Sequence, residues 1–189
     1  MENKKPYKCG LIVGRFQIFH NGHKQMIEKA LEMCEKVFVF IGSAQESNTS
    51  KNPFSYKIRK SFILDVFNQE ILDNRIVVKP LKDIGVGNCS SWGDYVIDTA
   101  ILEFGVCPDL LISGKESRRE FWFDNENKSI SELYIPKSIE VSASLIRESI
   151  ISKKDDLWKH FTPSNLWSEY YKLRNELIMS QKNNKTDSV

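Results

Sequence analysis

Four short apolar runs, residues 9–13, 37–41, 75–81 and 109–113, are separated by stretches of helical periodicity, and this alternation constrains the fold more than any other property of the chain. Runs of that length bounded by polar loops read as buried strands. Between them, residues 22–36 set Met26, Ile27, Ala30, Leu31 and Cys34 on one helical face, and residues 54–67 and 92–104 read as further helices. A repeated βα order predicts an α/β fold: a Rossmann-like, doubly wound parallel sheet with right-handed crossovers and ligands at the carboxyl ends of the strands.

Beyond Gly114 the order is less regular. Residues 118–122 read as a short helix, and 133–135 and 139–141 as short strands around Pro136, with C-terminal helices after them. Residues 165–180 are amphipathic, with Leu166, Trp167, Tyr170, Leu173, Leu177 and Ile178 available to cover the core or, in a homo-oligomer, a neighbouring subunit. The expected organisation is one domain over 1–160, a helical extension of it over 161–180, and a polar, frayed tail over 181–189.

One segment concentrates chemistry: Gly14-Arg15-Phe16-Gln17-Ile18-Phe19-His20-Asn21-Gly22-His23, between the first strand and the first helix. The free N–H groups of a helix start hold phosphate, and here two imidazoles and a guanidinium converge on such a start. Gly22 lets backbone approach a ligand closely, and a phosphate near either ring favours the charged imidazole, a donor to developing negative charge. Read singly, each histidine would be a satisfied structural residue or half of a metal pair; the flanking Gly14, Arg15 and Gly22 favour phosphate. Later, Ser142 or Ser144 can cap a helix whose first turn carries Arg147, a second anion-gripping helix start.

These segments resemble a known family. Gly-Arg-Phe-Gln-x-x-His-x-Gly-His is similar to the signature of the nucleotidylyltransferase superfamily with the HxGH motif, and its Gly-Arg-Phe-Gln start is similar to the archaeal-type nicotinamide mononucleotide adenylyltransferase branch. Residues 42–54, with Asn52-Pro53-Phe54, resemble that branch's loop after its second strand, and Val141-Ser142-Ala143-Ser144-Leu145-Ile146-Arg147 resembles the superfamily's Ile-Ser-x-Thr-x-x-Arg motif. Ile18 stands where the family usually has proline, Asn48 where histidine is common, Lys51 where arginine is usual, and Lys115 in place of asparagine.

The resemblance implies transfer of AMP from ATP to nicotinamide mononucleotide, giving NAD and pyrophosphate, with Mg²⁺ accompanying ATP. It implies His20 and His23 on the triphosphate, Arg15 and Lys51 on bridging phosphates, and Arg147 on the leaving pyrophosphate. Gly14, Phe16, Gln17, Gly22, Ser142 and Ser144 would complete the phosphate site, with Ser113 and Gly114 near the adenine. Asp83 and Trp92 would form the nicotinamide pocket, where an indole face suits a flat aromatic cation. The alternatives are a sister enzyme for nicotinic acid mononucleotide, phosphopantetheine or a flavin nucleotide, a non-catalytic nucleotide sensor, or a fragment of a bifunctional protein; for the last, no second domain fits after Arg147.

Composition narrows the partners. The chain has 189 residues, 41% of them hydrophobic, enough for a proper core. Its 27 basic and 25 acidic residues leave a net charge of only +2, no electrostatic footprint for nucleic acid or an anionic membrane, so useful positive charge should be local. Cys9, Cys34, Cys89 and Cys107 show neither CxxC nor zinc spacing, so reduced thiols and no protein metal site are expected. With no apolar signal core and no run long enough to cross a bilayer, the expected location is the cytoplasm.

Overall fold

The computed structural model describes residues 4–123, 130–136 and 139–186. Its strands are β1 (Tyr7–Gly14), β2 (Cys34–Ile41), β3 (Ile76–Pro80), β4 (Leu110–Ser113) and β5 (Ser131–Tyr134), all parallel in one sheet ordered β3-β2-β1-β4-β5. The helices are α1 (Asn21–Met33), α2 (Tyr56–Val66), α3 (Asn68–Leu72), α4 (Ser90–Phe104), α5 (Arg118–Trp122), α6 (Ala143–Ile151), α7 (Asp155–Phe161) and α8 (Tyr170–Thr186). A 3-10 turn, Ser164–Glu169, leads into α8.

Period-two alternation along the strands divides the core into two layers. Val37, Val39 and Ile41 of β2 enter the larger cluster with Ile27 of α1, Phe62 of α2 and Ile146 of α6. Phe38 and Phe40 point the other way, joining Val96, Ile97 and Ala100 of α4 and Trp122 of α5. Helices therefore cover both faces, as a buried parallel sheet requires. Leu166, Leu173 and Leu177 belong to the larger cluster, and at roughly 1.5–3 kcal/mol per fully buried aliphatic side chain they make the C-terminal helices part of the core.

Boundaries differ from the sequence expectation where pairing or packing outweighs local pattern. The first helix ends at Met33 rather than residue 36, because Cys34 and Lys36 pair with Tyr7 and Cys9 in the ladder. Residues 139–141 form no strand; Val141 donates its N–H to the Ile139 carbonyl in a tight turn leading into α6. The frayed tail expected from residue 181 is instead helical through Thr186, in a stretch with no Gly or Pro to stop it, and residues 187–189 lie outside the described ones. Among the described residues no helix is long and apolar enough to cross a membrane.

Candidate active site

The strand order reverses between β1 and β4, with β2 and β3 to one side and β5 to the other. Outside such a switch point the loops diverge and leave a crevice. A cleft of about 580 Å³ opens there, lined by Gly14 and Arg15 after β1, Ser113 and Gly114 after β4, His20, Gly22 and His23 at the start of α1, and Ser142, Ser144 and Arg147 at the start of α6. Segments more than a hundred residues apart in sequence thus share one concave surface.

The loop from β1 to α1 is held by its own side chains. Phe16 adopts a left-handed conformation, φ 51°, which costs a non-glycine residue on the order of 1–3 kcal/mol. Burial anchors it: Phe16 is 1% exposed, and its ring packs 4.8 Å from that of His23. Gln17 acts as a surrogate peptide, its Nε2 donating to the Phe54 carbonyl and its Oε1 accepting from the Phe54 N–H, both at 3.0 Å. The two residues border the cleft, with the Phe16 ring packed in the core and the Gln17 amide paired with Phe54. A Cβ at Gly22 would lie 3.1 Å from the His20 ring, tighter than ordinary contact, so glycine there lets that ring lie across the helix start.

His20 and His23 stack, with centroids 3.8 Å apart and planes 23° from parallel. Two positive rings at that spacing would repel. His23 is wedged among Phe16, Phe19 and His20, and this desolvation, aided by His20, holds its pKa well below the usual imidazole value. This favours the neutral form of His23, whereas the sequence expectation of a charged imidazole concerns a ring beside phosphate. The His23 Nδ1 is buried without a hydrogen-bond partner among the described residues. As N-cap of α1, His20 makes no side-chain cap, and its carbonyl accepts from the N–H groups of His23 and Lys24. The N–H groups of Asn21 and Gly22, at the first turn, have no acceptor within the helix.

Ser142 caps α6 through its Oγ, which accepts the Leu145 N–H at 3.2 Å, so its hydroxyl supports the helix. Arg147 donates one Nη to the Gln17 carbonyl and the other to Ser144 Oγ at 3.2 Å. The first and last sequence motifs are thereby tied together at the cleft. Burial, with Arg15 nearby, lowers the Arg147 pKa from its ordinary value, as expected of guanidiniums gathered without a counter-anion.

Lys51, expected on the bridging phosphates, is exposed and lies outside the residues that line the cleft. Its loop closes on itself through Asn52 N–H to Thr49 Oγ1 at 2.9 Å and Asn48 N–H to the Pro53 carbonyl at 3.2 Å. The cation the structure brings to that side is Arg59, fully buried in α2, which sequence reading missed. A clue existed, since Arg59, Phe62 and Ile63 share one buried face of α2, where an arginine needs a reason.

The other end of the cleft holds Asp83 and Trp92. Gln45 secures Asp83 as Gln17 secures Phe54, donating to its carbonyl at 2.9 Å and accepting its N–H at 3.1 Å. Trp92 meets Trp122 edge-on at 6.3 Å, and Arg118, also unforeseen, lies 5.0 Å over the Trp122 ring while donating to Asn88. Ser113 Oγ is occupied by the Lys115 backbone, donating to its carbonyl at 2.9 Å and accepting its N–H at 3.1 Å, so Ser113 shapes the turn. At Gly114 an added Cβ would meet nothing within 4 Å, so protein packing does not require glycine there.

Comparison with known proteins agrees with this arrangement. The cytidylyltransferase-like family matches residues 11–149. The chain is 32% identical over 164 residues to the nicotinamide-nucleotide adenylyltransferase of Thermococcus sibiricus, covering 86% of this chain and 82% of the relative. With that of Methanococcus aeolicus it shares 30% over 156 residues, covering 82% and 84%. In fold it is similar to a bifunctional NMN adenylyltransferase/ADP ribose pyrophosphatase from Francisella tularensis, with a TM-score of 0.73, 21% identity and coverage of 96% of this chain. This chain spans only 55% of that bifunctional protein. A second structure of the Francisella protein, complexed with AMP and a manganese ion, gives a TM-score of 0.67. With a family match that runs from β1 into α6 and so takes in both helix starts at the cleft, the chain belongs to the cytidylyltransferase-like family, in its nicotinamide-nucleotide adenylyltransferase branch.

Proposed function

We propose that the chain transfers AMP from ATP to nicotinamide mononucleotide, forming NAD and releasing pyrophosphate. The observation that carries this reading is that one cleft at the switch point is lined by His20, His23, Arg15 and Arg147 and also by Trp92 and Asp83. The chemistry is an in-line displacement: a 5′-phosphate oxygen of the mononucleotide attacks the α-phosphorus of ATP as the bond to the bridging oxygen of pyrophosphate breaks. No protein nucleophile takes part. Catalysis is then positioning, plus donors aimed at the charge that develops on the equatorial and leaving oxygens.

The residues divide this work. His20 and His23 reach the triphosphate, His23 nearest the reacting centre, their rings offering N–H donors beside the backbone N–H groups at the start of α1. Arg15 and Arg147 take the bridging and leaving phosphates, with Ser144 orienting Arg147. Trp92 stacks the nicotinamide ring. A divalent cation has no evident protein cage, because no group of three His, Cys, Asp or Glu side chains converges among the described residues. A Mg²⁺ ion accompanying ATP would be held by the nucleotide and would supply neutralisation of phosphate charge. Four free thiols suit the reducing cytoplasm as the setting.

A pyrophosphate-release assay with MgATP against a panel of phosphorylated acceptors tests reaction and acceptor together. Turnover with nicotinamide mononucleotide above the other acceptors is expected. ATP binding without pyrophosphate release from any acceptor would leave only a nucleotide sensor.

A further inference from the structure

Arg59 is 0% exposed, yet no carboxylate lies within ion-pair distance of it among the described residues. Its guanidinium is held by backbone oxygens alone: Nη1 donates to the carbonyls of Arg15 at 2.9 Å and Gly42 at 2.7 Å, Nη2 to that of Ser43 at 3.0 Å, and Nε to that of Ser55 at 3.3 Å. An unpaired buried cation is costly, and a core that needed only packing would use an apolar residue there. Something else accounts for it.

Those acceptors identify it. Arg15 immediately follows β1, and Gly42 and Ser43 immediately follow β2; all three line the cleft, whereas Arg59 does not. Past the last paired residues of β1 and β2, Gly14 and Ile41, the carbonyls have no ladder partners, and an unbonded carbonyl oxygen beside a triphosphate repels it. One planar, five-donor guanidinium satisfies the Arg15 and Gly42 oxygens from behind the cleft wall and adds a second donor to the Ser43 oxygen, which also accepts the Glu46 N–H at 3.1 Å; a lysine ammonium cannot do this with the same fixed geometry. It also keeps a permanent positive charge under the phosphate site, close enough to Arg15 that the two cations repel, and burial with Arg15 lowers the Arg59 pKa to about 10. The guanidinium therefore remains charged at neutral pH.

We propose that Arg59 is a positioning residue for the triphosphate: from behind the cleft it fixes the backbone of Arg15, Gly42 and Ser43, and its charge favours an anion in front of them. The inference rests on the adenylyl-transfer reading, and it concerns the ATP half of the cleft only. Misplacing a reacting group by about 1 Å costs on the order of 100-fold in rate, so this wall is where such precision would originate.

Arg59→Lys and Arg59→Met test it by steady-state kinetics, with thermal unfolding measured alongside. The expected result is a kcat about 10–100-fold lower and a raised KM for ATP in both variants, the KM for nicotinamide mononucleotide staying within about twofold, and Lys recovering only part of the loss. Wild-type kcat and KM in a variant that merely melts earlier would make Arg59 a core staple and overturn the proposal. Because either variant can fail to fold, a titration of the wild-type protein with inorganic pyrophosphate, followed by NMR, provides a second reading. The Arg59 guanidinium signals should shift with the Arg15 and Gly42 amides at one common affinity, and unmoved Arg59 signals would overturn the proposal. If wild-type protein turned over no acceptor at all, the adenylyl-transfer reading would fail, while the titration would still decide the role of Arg59 toward phosphate.

Discussion

At the scale of single residues, the stacked histidines make two separable predictions. Replacing His23 with Asn should remove a preorganised donor and lower kcat by about 100-fold or more, close to 3 kcal/mol of transition-state stabilisation, with little change in nucleotide affinity; single-turnover kinetics would check it. The pH dependence of stability follows from the lowered His23 pKa. The unfolded chain binds a proton at this side chain near pH 6.5 and the folded chain only at lower pH, so the stability contributed by neutral His23 is intact above about 6.5 and is lost on acidification below it. Urea unfolding from about pH 7.5 to 5 should therefore weaken the wild type more than His23→Asn, and parallel curves would contradict a neutral, desolvated ring. At the far end of the cleft, Trp92→Ala should raise the KM for nicotinamide mononucleotide while leaving ATP binding intact, which calorimetry can resolve.

Whole elements meet through backbone as well as side chains, most tightly where α4 crosses α5. A Cβ on Gly93 would fall 1.7 Å from the Trp122 carbonyl oxygen, an impossible contact with backbone that cannot rotate away. Gly93→Ala should push the two helices apart, lower stability by about 1–3 kcal/mol, and weaken acceptor affinity more than ATP affinity, because Trp92, Arg118 and Trp122 are set by that contact. Denaturant unfolding with paired binding measurements would show whether the loss is confined to the acceptor end. The short α5 was legible as a helix from residues 118–122, yet its role was not: the requirement for glycine at position 93 arises from a chain segment some thirty residues away.

For the whole molecule, charge is nearly balanced overall and unbalanced locally. Arg15 and Arg147 line the cleft with Arg59 behind its wall, and burial, then Arg15, lowers the pKa of Arg59 and Arg147. An anion that relieves this repulsion binds only the folded state. Pyrophosphate or ATP at 100 times its dissociation constant should stabilise the fold by about 2.7 kcal/mol, raising Tm by roughly 5–10 °C, and added salt should shrink the shift. An unchanged Tm at saturating pyrophosphate would argue against a phosphate-binding cleft.

What the sequence determined by itself is what short-range pattern can encode: strands and helices in βα order, a helix start flanked by His20, Gly22 and His23, and a helix start capped by Ser142 or Ser144, of which the structure uses Ser142. Periodicity and capping depend on neighbours within a few residues, so they survive being read along a line. The tertiary structure alone decided how the cations stand about the cleft. Hydrogen bonds close the loop that carries Lys51, carbonyls from two strand ends hold Arg59, and desolvation, with His20 stacked beside it, lowers the pKa of His23. Each of these depends on distances between groups remote in sequence and on exclusion of water, and both exist only once the sheet and its helices have packed.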